Sequence, residues 1–265
     1  MKLIACDPSP RAPDAGESCH RLAEAAAGMV ATIGADGFGQ AFLSQLNRAL
    51  PVSWWSVFHL PDGGTPAMPA SGSYAVPDHT LASWHTYRSS LYRSDITFAA
   101  AREALARSGC LLVHWSSREL PRPHREQIYT RHGLRERLSV VSRTGDGALL
   151  AVNLYRHEHL KPFSDADIDF VRMASPLLSS CVRRHVELSS RAEAGKSPFE
   201  ALTPREREVC ERMLTGRTYE GIASELRISA GTVKTYRNRA FDRLGIQHRN
   251  QLFALALKSL GSKRQ

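Results

Sequence analysis

Between Thr203 and Gly245 the sequence is punctuated so densely that only short helices joined by tight turns fit it. Thr203 can cap a helix, Pro204 suits the first helical position because its missing N–H needs no partner there, and Glu206 completes a capping box. Val209, Cys210, Met213 and Leu214 recur at helical spacing until Gly216, which tolerates the left-handed conformation that ends a helix. Thr218 caps a second helix, "YEGIASEL", with Ile222, Ala223 and Leu226 on its buried side. "RIS" turns the chain, and Ser229 caps a third helix that runs to Gly245.

The third helix has two chemically distinct sides. At roughly 100° per residue, Val233, Ala240 and Leu244 lie within about 20° of one line, flanked by Tyr236 and Phe241. Lys234, Thr235, Asn238, Arg239 and Asp242 fall between about 100° and 240° from it and project together, with Gly231 at the entering end. Two short helices and a tight turn, the second helix presenting a donor-rich face, make a helix-turn-helix that fits the major groove. Asn238 can pair bidentately with adenine, Lys234 can donate to guanine O6 and N7, and Thr235 can offer a methyl to thymine or a hydroxyl to other bases. Thr218, Arg237, Arg239 and Arg243 are placed for phosphate, which fixes register without reading sequence.

Charge follows the same division. From Lys196 onward 14 Lys and Arg face 7 Asp and Glu, a net +7, while the first 195 residues carry 21 against 19, a net +2. A length of 265 residues allows one medium and one small domain, and "ELSSRAEAGKSPFEA" reads as an exposed linker between them. No stretch approaches the ~20 apolar residues of a membrane span, and the start lacks the apolar core of a signal peptide, so the expected compartment is the cytoplasm, with no membrane partner. Five scattered cysteines without a C-x-x-C pair argue for reduced thiols and against a thiolate metal site.

"LTPREREV", Gly216, "GIASEL", "IS", "GTVKTY", "FDRLGI" and Arg249 together resemble the four-helix DNA-binding domain of LuxR-type and NarL-type transcription regulators. The resemblance covers about Leu202 to Leu260. It implies a last helix, about Arg249 to Ser259, whose exposed Leu252 and Ala256 pair with a second copy on double-stranded DNA, and it implies RNA polymerase as a further partner.

In the first half, "FGQAFLSQLNRAL" predicts an amphipathic helix, "VSWWSVFHL" a strand, and "TPAMPASGS" a weak partner strand interrupted by prolines. "TLASWHTYRSSLY" and "AAAREALARS" predict helices before "CLLVHW", and "LSVVSRTGDGALLAVNLYR" a hairpin. "DADIDFVRMASPLLSSCVRRHVEL" closes as a long helix capped by Ser164. The expected fold class is an α/β sandwich, helices on both faces of a sheet in a GAF/PAS-like α-β-α layout, followed by the small all-α unit. The expected segments are a loosely ordered 1–30, a sensor domain 31–188, a linker 189–201 and a DNA-binding domain 202–262.

The stretch from Trp84 to Arg156 resembles the acyl-homoserine-lactone-binding domain of quorum-sensing regulators through "WHTYRSSLYRSD", "VHWSS" and "HGLRERLSVVSRTGDGALLAVNLYR". On that match Trp84 and Tyr87 line a pocket, Asp95 accepts the ligand amide N–H and Trp115 walls the site. Three departures stand out: Ile96 in place of the usual proline, Arg137 in place of the usual glycine, and a Tyr87-to-Asp95 spacing one residue shorter. The resemblance implies a small-molecule inducer and no resident cofactor.

Other chemistries lack their residues. A phosphorelay receiver needs a lysine after an apolar strand, and only Lys2 and Lys161 occur in the first 195 residues. His157 and His159 could point to one side of a strand like metal ligands, but no partners are evident, and no nucleophile accompanies His124 in its proline-broken loop. "GKS" lacks the earlier glycine of a phosphate-binding loop. No catalytic site is therefore expected. The competing class is an interaction adaptor that keeps the helical module only to dimerise.

Overall fold

The computed structural model describes residues 1–6, 15–62, 64–106, 109–195 and 198–262. It divides into two compact units, Met1–Glu187 and Leu188–Gln265. No described helix is long and apolar enough to cross a membrane.

The first unit is an antiparallel sheet of six strands in the order β1-β4-β5-β6-β2-β3. They are β1 (Lys2–Ala5), β2 (Trp54–Leu60), β3 (Ala67–Ser73), β4 (Cys110–Ser116), β5 (Leu134–Arg143) and β6 (Leu149–His157). One face carries α1 (Ala15–Ala31), α2 (Phe38–Leu46) and α6 (Asp165–Gly195), sealed by Met29, Phe42, Trp55, Leu138, Val152 and Val171. The other carries α3 (Thr80–Thr86), α4 (Ile96–Ala104) and the short α5 (Arg122–His124), around Phe58, Phe98, Val113, Tyr129 and Val141. Helices on both faces make this an α-β-α sandwich.

Local chemistry explains the elements. β3 tolerates Pro69 because it is an edge strand, where a missing N–H breaks no ladder. Ser164 caps α6 by accepting from the Asp167 N–H at 3.2 Å. Pro176 lies inside that helix, and the Ser175 hydroxyl donates at 2.8 Å to the Arg172 carbonyl that the proline leaves without an N–H. α2 lies close on the sheet at Gly39: a Cβ there would stand 1.9 Å from the Ser71 carbonyl oxygen, and Trp55 Nε1 donates to the Gly39 carbonyl at 2.7 Å.

Three expectations about this unit need correction. Residues 1–30 are not loosely ordered where described: β1 pairs with β4, Leu3 opposite Val113, and Ala25 and Met29 of α1 are fully buried. The helix expected to end near 188 runs to Gly195, because the Ala, Glu and Arg read there as linker are strong helix formers; Pro198–Ala201 then forms a 3₁₀ turn. The loop around His124 is helical, since α5 continues as a π-type turn, Arg125–Tyr129.

The second unit packs α7 (Pro204–Leu214), α8 (Tyr219–Leu226), α9 (Ala230–Leu244) and α10 (Arg249–Ser262) around Val209, Met213, Ile222, Val233, Ala240, Phe241 and Leu252. The capping box forms: Thr203 N–H donates to Glu206 Oε2 at 2.9 Å, and Thr203 Oγ1 accepts from the Glu206 N–H at 3.4 Å. Thr218 and Ser229 cap the next two helices, at 3.1 and 3.0 Å. Arg249 donates to the Met213 carbonyl at 2.6 Å, tying the start of α10 to the end of α7.

Two substitutions test these contacts. Gly39→Ala is expected to destabilise the first unit by about 1–3 kcal/mol, as overpacking does, whereas Gly16→Ala, with nothing within 4 Å, leaves it unchanged or slightly firmer. Urea titration followed by tryptophan fluorescence reports this unit selectively, because all 4 tryptophans lie in it. Glu206→Ala is expected to cost the second unit about 1 kcal/mol, read as faster amide exchange in α7, and to exceed the effect of Arg243→Ala.

Candidate functional site

The stripe that buries α9 also decides what it exposes. Val233 and Ala240 are fully buried and Phe241 is 4% exposed, which turns Lys234, Thr235, Asn238, Arg239 and Asp242 outward. Thr235 Oγ1 donates back to the Gly231 carbonyl at 3.1 Å, while Lys234 and Asn238 make no hydrogen bond among the described residues. The exposed face is therefore a set of short amide, ammonium and hydroxyl groups on a helix whose rotation is fixed by its core.

The residues expected at phosphate are not equivalent. Arg239 is exposed, and Thr218 sits at the N-terminus of α8 with its oxygen accepting the Gly221 N–H. Arg237 is half-buried, its guanidinium over the rings of Tyr219 at 5.8 Å and Phe241 at 5.4 Å. Arg243 Nε lies 3.3 Å from Glu206 Oε2. Opposing burial, Thr203, Arg243 and Arg239 together hold the Glu206 carboxyl below its usual range, so it keeps its charge under that pair. Arg237 and Arg243 are thus held by direct contacts, whereas Lys234 and Arg239 make no hydrogen bond or ion pair among the described residues.

α10 also differs from expectation. Leu252 is fully buried in the core of its own unit and Ala256 half-buried, so neither supplies an exposed pairing face. Among the described residues of α10 the large exposed apolar side chains are Phe253 at 36% and Leu257 at 70%, one helical turn apart.

The first unit holds a second candidate site, a cavity with about 30 Å³ of free volume between the sheet and α3–α5. Its aromatic wall is Trp54, Phe58, Trp84, Tyr87, Tyr129 and Tyr155, and Ser56, Ser83, His124 and Arg137 add polar groups. Trp84 and Tyr87 both line it. Asp95 does not line the cavity: Oδ1 accepts the Thr97 N–H at 2.8 Å, capping α4, and Oδ2 accepts the Tyr87 hydroxyl at 3.1 Å. It is occupied in the fold rather than offered to a ligand amide, and Ile96 takes the first helical position beside it. Trp115 is buried at 3% but also lies outside the cavity lining.

Arg137 is the residue that reshapes the site. Strand register sets Trp54 opposite Tyr155, Tyr155 opposite Arg137 and Arg137 opposite Trp115, so one row of the sheet floor carries a guanidinium among aromatic rings. The side chain is 1% exposed, donates to Thr97 Oγ1 at 3.1 Å and lies 5.8 Å from the Phe98 ring centre. Burial first, and then the Arg137 charge, push the His124 imidazole down to about 4, leaving it neutral at pH 7. Period-two alternation along "LRERLSVVSR", which places Arg137 on the same face as Val141, was the signal available for this placement.

His157 and His159 do approach each other, Nδ1 to Nδ1 at 3.0 Å, but no group of three metal-ligating side chains occurs among the described residues.

Comparison with known proteins places the helical unit. The family model described as bacterial regulatory proteins, luxR family, matches residues 200–256. A putative HTH-type transcriptional regulator of Aeromonas salmonicida is 27% identical over 168 residues, 56% of this chain and 86% of that one. The spore germination protein GerE of Bacillus subtilis is 46% identical over 50 residues, 19% of this chain and 68% of that one. Among solved structures, the N-acylhomoserine lactone dependent LuxR family transcription factor CepR2 of Burkholderia cenocepacia aligns with a TM-score of 0.47 at 14% identity, over 65% of this chain and 97% of that one. With the family model matched across the capped helices, and two thirds of GerE covered at that identity, the chain belongs to the luxR family of bacterial regulatory proteins.

Proposed function

We propose that this luxR-family transcription regulator reads DNA sequence with Lys234, Thr235 and Asn238 of α9, and that a small molecule in the cavity of its N-terminal unit controls it. The observation that carries the reading is the outward face of α9, whose amide and ammonium groups are uncommitted while the opposite side is locked in the core. Arg239 and Thr218 hold phosphate, joined by those N–H groups of Arg237 and Arg243 that the fold leaves over. The protein works as a homodimer, joined through the Phe253 and Leu257 face of α10 and bound to two half-sites. A ligand acts by binding two dimer arrangements with unequal affinity, which is what control requires.

Duplexes selected by the protein from a random pool provide the test. Asn238→Ala is expected to lose about 1–3 kcal/mol of discrimination at one base position, and Arg239→Ala to weaken selected and random DNA alike while lowering the salt slope by about one. Equal losses on both kinds of DNA for both variants would overturn the assigned roles.

A further inference from the structure

Among the described residues of the first unit two arginines are buried, and they are treated differently. Arg156, 5% exposed, donates to the carbonyls of Pro51 at 3.1 Å, Lys161 at 3.2 Å and Pro162 at 2.9 Å, pairs with Asp167 at 3.1 Å, and lies 4.2 Å from the Phe163 ring centre. Arg137, buried more deeply, keeps one hydrogen bond, to Thr97, and forms no ion pair among the described residues. Its Nε is buried without a partner. A guanidinium held out of water in this way costs several kcal/mol unless an anion meets it.

Nearby donors share the deficit. Ser83 Oγ and Tyr129 Oη, on two further elements lining the same cavity, are buried and unpartnered. The nearby carboxylate, Asp95, is committed to the Thr97 N–H and the Tyr87 hydroxyl. The unmet groups on the cavity wall are thus one cation and two hydroxyls, the complement of a planar anion with two acceptor oxygens. The free volume, about 30 Å³, holds only water-sized molecules, so a ligand has to displace wall side chains to enter, and the six aromatic rings there favour a flat ring over a long acyl chain.

The geometry points to a small aromatic carboxylate as the ligand of this cavity, its carboxylate paired with Arg137 and hydrogen-bonded by Tyr129 and Ser83, and its ring stacked among Trp54, Trp84 and Tyr155. The inference rests on the sensor reading of the unit and specifies its ligand class.

Thermal melting and tryptophan-fluorescence titration of the full chain test it, with benzoate, 4-hydroxybenzoate, phenylacetate and indole-3-acetate against their neutral amides and against acyl-homoserine lactones. At least one acid is expected to raise the Tm and to bind about ten- to a hundred-fold more tightly than its amide, the range of one charge-assisted contact. Arg137→Met is expected to abolish that preference while melting as high as, or higher than, the parent without ligand; Tyr129→Phe keeps the fold and weakens the acid alone. Lactones or amides binding in preference to the acids would overturn the carboxylate assignment and leave the sensor reading standing. An unliganded Arg137→Met protein that melts well below the parent would make Arg137 a structural residue and also overturn it. If neither acids nor neutral compounds shift the Tm or the fluorescence, the sensor reading itself falls, and this inference with it.

Discussion

Both faces of the β5–β6 hairpin are covered by helices, and that double burial decides what each residue of the two strands has to be. Side chains alternate between two dry layers, so a polar group on either face must find its partner inside the protein. Most do. Ser139 donates to Asn153 at 2.7 Å and Asn153 to Ser56 at 3.3 Å, a ladder across three strands on the cavity side. On the opposite side Glu136 meets His114 at 2.7 Å and the Phe163 N–H. Against these closed networks, the open valences of Arg137 are informative. They lie on a wall of the sheet that borders free volume.

The same logic, with a helical period, governs the second unit. One stripe of α9 supplies core residues, and so fixes by rotation which groups face away; a single-residue slip would bury Lys234 and expose Val233. The side chains around the rim hold this rotation. Arg243 pairs with the capping-box carboxylate of α7, Arg237 covers Tyr219 of α8, and Arg249 grips the end of α7. Some of the basic charge that made this quarter of the chain conspicuous therefore serves internal architecture.

How much was legible follows from how local each signal is. Caps, glycine stops and the helical stripe involve neighbours within a turn, and the α7–α9 elements form where those residues stand. Strands with alternating or continuous apolar residues were equally readable, down to the proline-bearing β3. What failed was decided at a distance. β1 has a mostly exposed pattern and owes its place to pairing with β4, over a hundred residues away. Asp95 is spent as a cap because its Oδ1 meets the Thr97 N–H at the start of α4, and Leu252 is buried because α7 packs against α10. Sequence identified Arg137 only as a departure from a family pattern; its neighbours Tyr155 and Trp115 come from two other strands.

The pairing of β1 carries a practical corollary. Lys2–Ala5 hides one flank of β4, whose Leu111, Leu112 and Val113 are buried. A version trimmed at its beginning would bare those main-chain amides and carbonyls beside an apolar run, a ready template for intermolecular strand addition. Tags and trimming are better placed elsewhere when soluble material is wanted.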